Sequence, residues 1–158
     1  MKKMFKATAL LLALLAAFAL VGCSNSSGSG GGDSDWQNVT NLSDMVGTWV
    51  YSANAQGLNE KDIYTVGSGY ATSFEADVDY SAASPVVQAA IIIAIGTLEA
   101  GGYTCNNDVV AKKLTVTKSY TASEFTTFVL GGGVKINAAK DKVKIKDVQG
   151  NEAVFVKQ

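Results

Sequence analysis

From Phe74 to Tyr80 the chain alternates strictly, with Phe74, Ala76, Val78 and Tyr80 on one side and Glu75, Asp77 and Asp79 on the other. A period of two with one apolar face predicts a half-buried β-strand. Shorter runs of the same kind lie at Thr48–Ser52, Leu114–Tyr120, Val134–Asn137, Lys142–Lys146 and Ala153–Lys157. Turn signals separate the later ones: Gly131-Gly132-Gly133, Ala139-Lys140-Asp141 and Gln149-Gly150-Asn151. Strands joined by such short turns predict a meander. Residues 53–71 carry Asn54, Gly57, Asn59, Gly67 and Gly69, and read as a loop with one short element.

The period changes after Ser84-Pro85. Serine is a good N-cap and proline is favoured at the first helical position, while Gly101-Gly102 supplies a stop. The stretch between, VVQAAIIIAIGTLEA, is rich in β-branched residues, yet an unbroken element of that length is too long for an ordinary strand. A helix over about 85–100 is therefore expected. Its polar residues, Gln88, Thr97 and Glu99, make no wide wet face, and a helix apolar nearly all round is buried or touches lipid. At about 24 Å it is too short to span a bilayer. Thr121 and Glu124 have the form of a capping box, and Phe125, Phe128 and Val129 share a face, which predicts a short helix at 122–130. The fold class that follows is α+β: mainly an antiparallel meander of five to seven strands, packed with one apolar helix at about 85–100.

A different pattern occupies the beginning. Lys2, Lys3 and Lys6 precede an apolar run from Ala7 to Val21, which at about 22 Å falls short of the roughly 30 Å hydrocarbon core. A basic segment, a short apolar segment and a small residue before a cleavage point describe a secretory signal peptide. The tetrapeptide Leu20-Val21-Gly22-Cys23 resembles the lipobox of bacterial lipoproteins. That resemblance implies cleavage after Gly22, so that 1–22 is the signal peptide, and acylation of Cys23 with palmitate-type chains. Two or more chains hold a protein on a membrane stably. Ser24, in place of an acidic residue, implies outer-membrane sorting under the rule of enteric bacteria. The polar tract SNSSGSGGGDSD then makes 23–35 a lipidated cysteine with a flexible tether, whose r.m.s. span is about 20 Å. Residues 36–158 remain for a single β-rich domain, enough chain for one core.

Loss of the leader would leave ten lysines against 14 acids, a net charge of about −4, with no arginine and no histidine anywhere. From Asp33 to Asp108 there are ten acids and only Lys61, whereas from Lys112 onward there are nine lysines and four acids. The two halves are placed to neutralise each other. Nucleic acid, which wants a basic footprint rich in arginine, is an unsuitable partner. Without histidine, histidine-based triads and histidine metal sites are ruled out, Cys105 has no imidazole to activate it, and no carboxylate spacing stands out for glycoside chemistry. The chain therefore reads as a non-enzyme with no cofactor. Cys105 is left without a disulfide partner, and is expected to be buried as a small hydrophobe. Glu75, Asp77 and Asp79 could lend oxygens to Ca²⁺, or make a solvated face, or meet the equally spaced Lys142, Lys144 and Lys146 on a neighbouring strand. The aromatic residues read as packing, with Trp36, just beyond the tether, the exception.

Gly47-Thr48-Trp49, following the short turn at 41–46, resembles the first strand of lipocalin-like and fatty-acid-binding-like barrels. The resemblance implies structural roles for Gly47 and Trp49, with the indole closing the floor of a barrel whose interior is an apolar ligand pocket. Those barrels carry an arginine over that tryptophan near the last strand, and their helix comes late rather than mid-chain. Two roles are thus expected. One is a membrane-anchored lipoprotein with a lipocalin-like domain holding a small apolar ligand. The other is a non-enzymatic structural or protein-interaction lipoprotein of the cell envelope.

Overall fold

A computed structural model describes residues 35–146 and 152–158. The segments read from the sequence as signal peptide and tether, Cys23 included, lie outside them except for Asp35. Nine strands form one wholly antiparallel sheet: β1 (Trp36–Asn38), β2 (Gly47–Ala55), β3 (Leu58–Val66), β4 (Thr72–Asp79), β5 (Thr104–Asp108), β6 (Lys113–Tyr120), β7 (Val134–Asn137), β8 (Lys142–Lys146) and β9 (Glu152–Lys157). Their order across the sheet is β1-β7-β8-β9-β2-β3-β4-β6-β5. Two helices interrupt the strands, α1 (Pro85–Ala100) and α2 (Ala122–Phe128). The β-rich α+β reading holds at that level. In two respects the arrangement differs from the expectation: the described residues form nine strands rather than five to seven, and the hydrogen-bonded ladder is open, with β1 and β5 as its edges, rather than closed into a barrel.

The largest departure from the sequence reading is at residues 53–71. In place of a loop, β2 continues to Ala55, turns through Gln56-Gly57 and returns as the whole of β3. Both turn residues have positive φ, 53° and 80°, the backbone of a tight two-residue hairpin turn. A Cβ on Gly57 would lie 2.3 Å from the Ala82 carbonyl oxygen, so glycine is needed there for space as well as for φ. Strand β3 also alternates, with Leu58, Glu60, Asp62, Tyr64 and Val66 inward. Two acids in the inward set hide the amphipathic pattern from a reader who scores them as polar.

The N-terminal ends of both helices follow the sequence. The Ser84 side chain accepts from Val87 N–H, with Pro85 just inside. Thr121 and Glu124 form a complete capping box, and α2 stops at Phe128 in a widened turn, Val129–Gly133, where Gly132 has φ 83°. Along α1 the buried stripe is Val87, Ile91, Ala94 and Leu98, which is the spacing of one helical face. It packs into the same core as Trp49, Phe74, Leu114, Val116 and Phe155, all of them at most 1% exposed. Ring contacts tie the inner face together: Tyr64 lies 4.7 Å from Phe74 and 5.3 Å from Phe155, and Phe74 meets Tyr103 edge-on.

The two charge ladders do not meet. Glu75, Asp77 and Asp79 lie on β4 between β3 and β6, whereas Lys142, Lys144 and Lys146 lie on β8 beyond β9 and β2. Asp77 instead stands opposite Lys61 and accepts from Thr115 Oγ1 at 2.9 Å, and Asp79 sits 3.9 Å from Lys113. Lys144 pairs with Glu152 at 3.1 Å and holds its ammonium 4.7 Å from the Trp36 ring centre. Both arrangements still set lysines from the later half against acids or aromatics of their neighbours. Cys105 is half-buried rather than buried, because β5 is an edge strand.

Candidate functional site

Three places carry more than packing. At one end of the sheet, a 3₁₀ turn at Leu42–Met45, capped by the Asn41 side chain, leads into β2. Trp49 is buried there, 1% exposed, and its Nε1–H donates to the Met45 carbonyl at 2.7 Å. The ammonium of Lys157, on β9, lies 5.1 Å from the indole ring centre and donates to the Asp44 carbonyl at 3.2 Å. Gly47 is what allows this: its φ is 129°, and a Cβ would come within 3.0 Å of the Lys157 Cε. Behind the indole, Met45, Tyr64, Tyr120, Phe125 and Val143 border an apolar cavity of about 20 Å³.

The second place was not legible as a site from the sequence. Glu60 and Asp62, next-but-one neighbours on β3, are 4% and 0% exposed. In register, Asp62 lies between Tyr51 and Ala76, and Glu60 between Ala53 and Val78. No hydroxyl, amide or ammonium of the described residues reaches any of the four carboxyl oxygens. Burial, then the Asp62 charge, then the hydrogen bond to Asp62 push Glu60 well above the usual carboxylate range. Burial pushes Asp62 up to about 7, against the lowering effect of the hydrogen bond with Glu60. Tyr51 is pushed up to about 12 by burial, and by the two carboxyls beside it. Both carboxyls therefore keep their protons to higher pH than exposed acids do.

The third place is the outside of the molecule. A groove of about 690 Å³ crosses β2, β3, β4 and β6, bordered by Ser52, Asn59, Glu60, Lys61, Asp77 and Lys113 among others. Its charges are already matched in part, as described for Asp77 and Asp79. On the other side, α1 turns an apolar face outward: Val86 is 71% and Ile93 74% exposed. Beside its first turn, the β5–β6 turn exposes Val109 and Val110, and Lys112 from that turn reaches the Gln88 side chain.

Among the sequence candidates, Gly47 and Trp49 come together as the sealed end just described. Cys23 lies outside the described residues. Among the described residues no group of three or more histidine, cysteine or acidic side chains is placed to hold a metal ion, the β4 carboxylates included. No helix among them is long and apolar enough to cross a membrane. No known protein family, no curated protein and no solved structure matches this chain.

Proposed function

We propose that the chain is a lipoprotein of the bacterial cell envelope, held to the membrane by lipid on Cys23, and sorted to the outer membrane. Its β domain acts as a non-enzymatic structural or protein-interaction module. The observation that carries this reading is the filled interior. The buried stripe of α1 belongs to one core with Trp49 and Phe155, and the apolar cavity at the sealed end measures about 20 Å³. Small-molecule sites run from roughly 300 Å³ upward.

A separate observation favours the second reading, a lipocalin-like carrier of a small apolar ligand. The short turn, the Gly47–Trp49 strand start and a cation from a late strand over the indole reproduce the station that closes such barrels. For a ligand to enter, the core behind Trp49 would have to open.

Two measurements decide these points. A Cys23→Ala variant is expected to lose membrane association on fractionation, and a variant that stays with the membrane would overturn the anchor. Native mass spectrometry of the full protein, extracted from its host in mild detergent, is expected to give the acylated chain alone. A further lipid-sized mass bound to it would overturn the module reading in favour of the carrier.

A further inference from the structure

We propose that the outward face of α1, together with the β5–β6 turn, is the surface on which the domain lies against a lipid bilayer. The inference rests on the lipid-anchor reading and adds to it an orientation. It starts from the exposed positions of the helix. Between Pro85 and Gly96 every exposed residue is apolar, namely Pro85, Val86, Ala89, Ile92, Ile93 and Gly96. These lie on the side opposite the buried stripe Val87, Ile91, Ala94 and Leu98. The helix therefore uses one apolar face for the core and displays another. Val109 and Val110, 66% and 89% exposed, extend the display from the turn beside it.

The shape of this patch suits a bilayer better than a protein. Twelve helical residues make a strip of about 18 Å by about 10 Å, on the order of 200 Å². A stable pair of protein partners buries about 800 Å² on each side. A bilayer needs no matching surface, and accepts a few aliphatic side chains from an amphipathic helix at its headgroup boundary. The charges agree. Lys112 flanks the patch, and the Asp108 carboxylate is occupied by the N–H groups of Val110 and Ala111. Glu99 is the exposed acid on the helix, in its last turn. The acid-bearing outer face of β4, with Glu75, Asp77 and Asp79, belongs to the groove side.

The chain before Asp35 supplies the proximity. Twelve tether residues reach at most about 40 Å when extended, which exceeds the roughly 30 Å breadth of a domain this size. Any face can thus turn to the membrane, and the anchor keeps lipid at high effective concentration. Under that condition the choice of face falls to surface chemistry, and α1 offers the most apolar one.

The test uses the full acylated chain in vesicles of phosphatidylethanolamine and phosphatidylglycerol. In a Cys105→Ser background, one thiol is introduced by Ile93→Cys, Val110→Cys or, as a control in the groove, Lys61→Cys, and each is labelled with a polarity-sensitive fluorophore. Flotation reports anchoring separately from orientation. Probes at 93 and 110 are expected to shift to the blue, and nitroxide lipids should quench them roughly twofold or more beyond the probe at 61. Vesicle-bound protein whose three probes respond alike would overturn the orientation and leave the anchor standing. Blue shifts that grow with protein density, without nitroxide quenching, would assign the face to a second copy and also overturn it. Acylated chain that fails to float would overturn the anchor, and the orientation with it.

Discussion

Lowering the pH from 8 to 5 is expected to stabilise the fold, raising Tm by about 10 °C. The cause is the Glu60–Asp62 pair. Both carboxyls hold their protons more tightly when folded than when unfolded: burial moves Asp62 from an ordinary 3.8 to about 7, and burial beside Asp62 holds Glu60 well above the usual carboxylate range. Between pH 4 and pH 7 the native state therefore binds more protons than the unfolded chain, so stability falls as pH rises through that window. It is fully retained where both states are protonated, and is lost as pH passes the folded values. For one buried group the effect is a few kcal/mol. Below pH 4 other groups turn the trend. Asp79, held low by its hydrogen bonds from Ser81, and Glu124, held low by those from Thr121, lose their partners on protonation. Thermal unfolding followed by circular dichroism should thus show a maximum near pH 4. In a Glu60→Gln, Asp62→Asn double variant the slope between pH 5 and pH 8 should flatten, with a higher Tm at pH 8. A wild-type Tm that falls steadily on acidification, or a double variant that keeps the slope, would refute this account.

Trp49→Ala should be the most destabilising single exchange, by roughly 3–5 kcal/mol. The indole is 1% exposed and belongs to the core together with Met45, Tyr64 and Phe155. Its removal leaves a large void between the 3₁₀ turn and the core. It also orphans the Met45 carbonyl, which the Nε1–H reaches at 2.7 Å, and takes the ring from under Lys157. Trp49→Phe keeps much of the volume but neither the donor nor the full ring face, and should lie between alanine and wild type. Denaturant unfolding by circular dichroism measures both. Equal losses for phenylalanine and alanine would show that the polar contacts of the indole, rather than its bulk, hold this end closed.

The sequence exposed those parts of the fold in which local chemistry and burial agree. The alternation of β4, the Ser84-Pro85 start of α1 and the Thr121–Glu124 box all recur in the structure, since each is decided within a few residues. The hairpin at 53–66 was hidden because its inward set contains Glu60 and Asp62, which a periodicity count assigns to solvent. Only tertiary burial reveals them as inward, and the same burial raises the pKa of both. The signal that was there is the alternation itself: Leu58, Tyr64 and Val66 fall in phase with the two acids. The partners of the lysine ladder were likewise invisible, because strand order across the sheet is set by the whole chain. Lys157 shows the reverse case. Its position near the end of the last run was plain, but its place over Trp49 depended on β9 pairing with β2.

That pairing bears on how the domain comes into being. Strand β2 begins at Gly47, and its neighbour on one side is β9, which runs from Glu152 to Lys157. The contact joins stretches about a hundred residues apart, so closing it carries the entropy of a long loop and delays the native state. A chain emerging from its amino end would have the hairpin of β2 and β3 available early, yet its tryptophan would stay uncovered until the final strand arrives. The slow step in forming the domain is therefore expected to be the docking of β9 against β2.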